Sequence, residues 1–520
     1  MSVVPATPTA ELSGAEVRRL VRRSTAARVD TTLGERLSDL WSTAASVAIG
    51  LAVLGGWLAS VREDIVGRAP IGGVLVPGPV TAGVGLLVVA AGLLGLLDRL
   101  GPVSSSPAAT AWLLPLPADR RGLLRSELLK VTGTCTLVVA LLAAPTAWAW
   151  SAHPSPASVA AAVLGAAAST AALVGAAALL QTRGVRNAVA PAAGGVAVLA
   201  AAAAMLLSVV PPLLRPLGGL REHGLAAPDR GWPVAATAVA VLLLVAAERG
   251  LGRLDAGALR MLGATSSYAT ASVFSLDIRQ LGRALAPAGE RSPRRGRRFR
   301  AVRRPWQAVA VADLTLLARS RWQQGQLVVG AAVAVLAART DGLGLLPAAV
   351  AGGLFLGWFT AAVAAGHPGR QAEVSPALDR LLPLSPVGLV TARFLAPVAV
   401  LTPVCGISGL LIGVGAGEPL WVALALASVP AWAAAALRGA FRPEIDWSGP
   451  VVSTPMGVLP AGVAATVMHG LDVALLGILP IGGALLLGAP PSTGLVVGEL
   501  VWATALAAGV RAHLARRRAG

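Results

Sequence analysis

The sequence predicts an all-α polytopic membrane protein with about twelve transmembrane helices. They are arranged as two parallel six-helix repeats, each preceded by an interfacial amphipathic helix. Three observations predict it: the composition, the placement of the basic residues, and a duplicated loop. Of the 520 residues 55% are hydrophobic and 13% charged, with a mean hydropathy of +0.72, whereas soluble domains carry about 25% charged residues.

The apolar runs give the elements in order. At roughly 20 residues per helical crossing, spans fall near 44–61, 75–97, 131–150, 157–180, 188–210, 232–247, 326–338, 345–366, 394–414, 419–437, 455–488 and 492–510. No signal-peptide core precedes the first charged run, so the first span is expected to be retained. The 455–488 run is too long for one straight crossing and contains Pro460 and Pro480. It reads either as a kinked helix or as a span followed by a re-entrant piece on the outer side.

Assigning the loops alternately to two sides places 37 of the 43 basic residues on one of them. Cytoplasmic loops hold the Lys and Arg excess, so both termini are expected in the cytoplasm, in a multi-pass inner (cytoplasmic) membrane protein. The units are then a cytoplasmic arm with an interfacial helix (1–43), a first six-span half (44–248), a basic linker with a second interfacial helix (249–325), a second half (326–510) and a basic tail (511–520). The net charge of +18 becomes a statement about topology. Eight arginines between Arg291 and Arg304 fit anionic lipid headgroups and, with no interleaved aromatic beyond Phe299, not nucleic acid.

Two cytoplasmic loops repeat each other. Ser106, Pro107 and Ala108 match Ser375, Pro376 and Ala377, then Leu113, Leu114, Pro115 and Leu116 match Leu381, Leu382, Pro383 and Leu384, and Arg125 matches Arg393. Ser before Pro starts a helix, and Pro115 or Pro383 stops it. A second start follows, plainest at Ser385 and Pro386. Each half thus offers a short helix whose Leu-Leu-Pro-Leu run calls for a surface to bury it. Before the first and seventh spans, Leu33, Leu37, Leu40 and Trp41, and likewise Trp306, Ala310, Leu314 and Leu317, recur at helical spacing. These are expected to lie in the interface, apolar face toward lipid.

The candidate chemistry is sparse. All basic residues but Lys130 are arginine, so no G-x-x-x-x-G-K-[ST] phosphate loop exists. Neither H-E-x-x-H nor G-x-S-x-G occurs, and Cys135 and Cys405 read as small apolar residues. No catalytic, cofactor-binding or metal residues are expected. The intramembrane polar candidates are His469 and Asp472, which could form a relay on one face or simply mark a helix end, and Glu499, near the outer boundary of the last span. Gly83, Gly85, Gly92 and Gly95 suggest close helix packing in the second span.

This arrangement of interfacial helix, six spans and a short cytoplasmic helix between the second and third spans resembles the permease subunits of ABC-2-type exporters. The resemblance covers nearly the whole chain as architecture, but its motif support lies in the two loops. It implies that the coupling residues are Ser106, Pro107, Trp112, Leu113, Leu114, Pro115, Leu116, Asp119, Arg120 and Arg121 in one loop. In the other they are Ser375, Pro376, Leu381, Leu382, Pro383, Leu384, Ser385 and Pro386. It further implies two ATPase subunits supplied in trans, holding the ATP and magnesium that this chain lacks, and a permease that is not itself an enzyme. One alternative is a major-facilitator-like carrier, from Gly95, Asp98, Arg99 and Gly101 in GLLDRLG, although the spacing departs from that family's signature. Another is an intramembrane lipid-modifying enzyme, which would rest on Glu63 and Asp64.

Overall fold

The computed structural model describes residues 13–26, 76–105, 107–113, 115–116, 119–150, 155–209, 231–274, 302–341, 343–374, 376–442, 451–454, 457–460 and 468–519, with scattered positions between 34 and 56. Among the described residues nine helices are long and apolar enough to cross a membrane. The chain is therefore a polytopic helical membrane protein.

The first group of helices comprises α1 (Gly14–Ala26), α2 (Gly78–Leu100), α3 (Pro107–Trp112), α4 (Arg120–Trp150), α5 (Pro156–Thr182), α6 (Arg186–Val209), α7 (Gly231–Gly250) and α8 (Ala256–Phe274). The second comprises α9 (Pro305–Arg319), α10 (Arg321–Arg339), α11 (Pro347–Ala365), α12 (His367–Val374), α13 (Pro376–Arg380), α14 (Pro386–Ala416), α15 (Leu420–Ala427), α16 (Val429–Ala440), α17 (Leu471–Leu486) and α18 (Thr493–Ala519). Ten of the twelve expected spans coincide with helices here, and an eleventh, 455–488, does so over its second half. The first, 44–61, lies mostly outside the described residues, as do Leu33, Leu40, Glu63, Asp64 and the arginines from 291 to 300.

Local chemistry sets the boundaries. Ser13 and Glu16 form a reciprocal capping box at the start of α1, and Ser155 with Ser158 does so for α5. Gly101, at φ 77°, ends α2 in a conformation that disfavours a side chain. Pro430 cannot donate to the ladder, which divides the expected tenth span into α15 and α16 at Ser428. The polar opening RWQQGQ keeps α10 out of the nine most apolar helices.

In the 455–488 region residues 455–456 and 461–467 lie outside the described residues. Strands β1 (Val451–Thr454) and β2 (Gly457–Pro460) pair antiparallel, with Val451 opposite Pro460. A single 16-residue helix, α17, follows and contains Pro480. The hairpin apart, the named elements are helical, in keeping with the all-α class. After α17 only a short turn leads to α18, with no re-entrant piece.

The two groups pack unequally. In the second, Trp358 and Trp432 meet edge-on at 5.6 Å, and the Trp358 indole donates to Ser408 Oγ at 3.2 Å, inside a large cluster that spans α10 to α18. In the first, a smaller cluster joins Leu97, Leu124, Val174 and Leu251. Gly83, Gly85, Gly92 and Gly95 do not mediate close packing: a Cβ there meets nothing within 4 Å among the described residues. Close backbone approach occurs instead between α10 and α11, where a Cβ on Gly330 would stand 2.5 Å from Gly357 O.

The groups meet along a seam. Val76, Ala201, Ala204, Ala332 and Leu336 form its apolar part, from the residues before α2, from α6 and from α10. At one end the Arg99 guanidinium lies over Trp322 at 5.1 Å. At the other, Thr81 and Thr340 share a hydrogen bond of 2.8 Å.

Candidate functional site

The end of the bundle that carries Arg99 and Trp322 also carries both repeated loops. The second is the more built. Ser385 Oγ accepts from Gly388 N at 3.1 Å, so α14 starts where Ser385 and Pro386 predict, and Arg393 falls two turns in. Its Nη1 donates to Asp313 Oδ1 and Oδ2 of α9 at 3.0 and 3.2 Å. Its Nη2 donates to Asp379 Oδ1 of α13 at 2.5 Å. The other oxygen of Asp379 accepts from Arg518 Nη1, at the end of α18, at 2.9 Å.

Two cations and two anions from four helices thus form one chain. The side chains of Arg393, Asp313 and Asp379 are 8%, 10% and 11% exposed. At such burial, ion pairs fix geometry more surely than they add stability. Burial pushes the Asp313 carboxyl up to about 6, against the pull of Arg393 and with help from Asp379. Arg518 also stacks over Phe441 at 4.5 Å, and Arg517 donates to Phe441 O at 2.9 Å.

The network holds α13 while its neighbours split. Leu382 and Leu384 pack on Val309, Leu389 and Ala392, so half of the Leu-Leu-Pro-Leu run finds its surface inside this chain. Leu381 and Leu378 face outward, at 80% and 65% exposure. Pro383 and Ser385 are exposed, Pro386 is half-buried, Pro376 opens α13, and Ser375 lies outside the described residues. The α9 face is likewise corrected. Ala310 and Leu317 are buried with Val309 and Asp313 against α14 rather than turned to lipid, and Trp306 and Leu314 remain exposed.

The first loop is held by different means. Gln181 at the end of α5 accepts from Val103 N at 3.2 Å and donates to Val103 O at 2.9 Å. On α8, a Cβ at Gly263 would overlap Ser105 O, so only glycine permits this approach. The linker expected as a basic tether therefore contains a helix packed on the loop. Asp119 caps α4 through Arg121 N and Gly122 N at 3.0 and 3.2 Å. Trp112 is 78% exposed and Leu116, Pro115, Arg120 and Arg121 are also exposed, with Leu113 half-buried. Pro107 opens α3, and Ser106 and Leu114 lie outside the described residues. Arg125, the counterpart of Arg393, pairs with Glu248 at the end of α7 at 3.2 Å, both well exposed.

The intramembrane candidates separate. Asp472 Oδ2 accepts from Arg438 Nη2 at 2.7 Å, and its Oδ1 from Gly470 N and Val473 N at 2.9 and 2.8 Å. His469 offers its carbonyl to Arg442 Nε at 3.2 Å. Asp472 is thus a helix-end anion beside the last turn of α16. Glu499 is fully buried in α18, with neither carboxylate oxygen hydrogen-bonded among the described residues. Arg99 of the GLLDRLG segment is engaged with Trp322.

Sequence reasoning missed Asp379, Arg518 and Gln181 as site residues. Asp379 has no acidic counterpart in the first loop, and Arg518 lies more than a hundred residues away. Arg393 alone carried a signal, its match to Arg125.

No curated protein matches the chain, and no solved structure does. A family model, described as a family of unknown function (DUF6297), matches residues 74–450, from the residues before α2 to beyond α16. With well over half of its length inside that match, the chain belongs to the DUF6297 family.

Proposed function

We propose that this chain is the membrane permease subunit of an ATP-driven exporter of the ABC-2 type. It would have twelve spans in two parallel sets of six, both termini in the cytoplasm, and two ATPase subunits bound in trans. The observation that carries the reading is a pair of short helices, α3 and α13, at one end of the bundle. Each precedes a 31-residue helix and each presents unpaired apolar side chains: Trp112 and Leu116 on one, Leu378 and Leu381 on the other. Apolar groups clustered outside the spans need a partner surface, and interface cores favour large, apolar anchors such as Trp.

In this reading, closure of the ATPase subunits pushes α3 and α13. The push on α13 passes through Asp379 and Arg393 into α14, and through Arg518 into α18. The push on α3 passes through the Ser105 and Val103 backbone into α8 and α5. The two sets of spans then rock about the seam between α2, α6 and α10, giving alternating access.

The test is purification of the tagged full-length chain from its native membrane, with identification of bound ATPase. A Trp112→Ser and Leu381→Ser double variant should lose most of that ATPase while keeping its unfolding temperature. Leu382 is left intact because it packs internally. Full retention of the ATPase by the variant, or no ATPase with the native chain, refutes the reading.

A further inference from the structure

At the end of the seam opposite the short helices stands an unpaired buried cation. Arg339, the last residue of α10, is 4% exposed. Its Nη2 donates to Ser208 O at 2.9 Å, but Nε and Nη1 have no hydrogen-bond partner among the described residues. A guanidinium cannot shed its charge, and those two nitrogens carry three N–H donors.

The surroundings do not compensate. Ser208 O is a carbonyl in the last turn of α6, and helix C-termini offer only about half a negative charge each. The nearby hydroxyls are already engaged: Thr340 donates to Leu336 O, Thr81 pairs with Thr340, and Ser208 Oγ donates to Met205 O. The rest of the seam is Val76, Ala201, Ala204, Ala332 and Leu336. Among these described neighbours no carboxylate bonds to Arg339.

The position is also rigidly specified. Val76 N donates to Arg339 O at 2.6 Å, and Asp341 N to Val76 O at 2.9 Å. The chain before α2 is thereby strapped to the end of α10, and Arg339 is fixed where the two groups of helices meet. Burial of an unpaired charge costs several kcal/mol, so a fixed one with no counter-charge among the described residues is suited to holding an anion.

We infer that Arg339 is the binding group of an oxyanion site, for a phosphate or a carboxylate, at this end of the seam between the two helix groups. The shared chemistry is a compact singly or doubly charged oxyanion, supplied either by a solute or by a phospholipid headgroup. The site goes beyond the transport reading and does not depend on an ATPase.

The experiment uses the purified full-length chain in nanodiscs, without ATP or ATPase. In phosphatidylcholine discs the unfolding temperature is measured against sodium phosphate and sodium acetate, with sodium chloride holding ionic strength constant. A parallel series replaces part of the lipid with phosphatidylglycerol. A ligand that binds only the folded state raises that temperature in a saturable way. Wild type should rise by several degrees, and Arg339→Gln should not respond. A response to phosphate or acetate identifies a solute, and a response to phosphatidylglycerol alone identifies a headgroup.

Arg339→Lys keeps the charge but loses the planar fork, and should bind at least tenfold more weakly. This variant serves if Arg339→Gln fails to fold. Equal shifts in wild type and variants, or no anion-dependent shift in wild type, overturn the inference.

Discussion

Arg393 and Arg125 occupy matching places in the two repeated loops, yet their surroundings give them different weight. Arg393 is buried between Asp313 and Asp379, so Arg393→Ala strips Asp313 of its cation, leaves Asp379 to Arg518 alone, and should cost about 3–5 kcal/mol. Arg125 faces Glu248 in solvent, where an ion pair is worth under about 1 kcal/mol. Denaturant unfolding of the two alanine variants checks the contrast, which fails if they lose equal stability. Asp313 adds a pH signature. Its carboxyl, at about 6 in the folded chain against an ordinary 3.8, holds a proton between those values that the unfolded chain has released. Stability therefore falls as pH rises across that window. Asp313→Asn should remove the slope, matching wild type near pH 4 and gaining on it toward pH 7, as read by unfolding at each pH.

At the scale of elements, start and stop signals were legible because they are local. Ser385 and Pro386 open α14, and the short helices end before Pro115 and Pro383, as the sequence predicts. Faces were less legible. The spacing of Trp306, Ala310, Leu314 and Leu317 marked an apolar stripe on α9, but a stripe does not say whether lipid or protein covers it, and α14 covers part. The same limit hid the roles of the glycines. Those of α2 stand free among the described residues, whereas Gly330 and Gly357 lie in tight contact, and nothing in composition distinguishes them. Apolarity did not distinguish strand from helix at 457–460, which pairs with 451–454 as a hairpin, since β-branched residues such as Val451, Val452, Thr454 and Val458 suit strands.

For the whole molecule, the topology proposed from the basic residues is directly testable. With Cys135 and Cys405 replaced, a cysteine at exposed Met261 should react with an impermeant maleimide only from the cytoplasmic side. One at exposed Leu487 should react only from the outer side. Labelling of both from the same side would break the alternation. The seam gives the two helix groups a common boundary, with Arg99 over Trp322 at one end and the Arg339 strap at the other. The docking ends are unequal. One is locked by four linked charges and the other by the amide of Gln181 and a glycine contact, so the two short helices are not interchangeable.

The sequence by itself determined the membrane class, the span positions, the distribution of charge and the starts of the short helices. Each of these follows from residues within about 25 positions of one another, through transfer free energy or capping geometry. Only the tertiary structure decided that Arg393 gathers Asp313 and Asp379 with Arg518 beyond, that Asp472 pairs with Arg438, and that Arg339 is buried with donors to spare among the described residues. Charge pairing depends on distance in space, and in a chain with 43 basic and 25 acidic residues the sequence leaves too many pairings equally allowed.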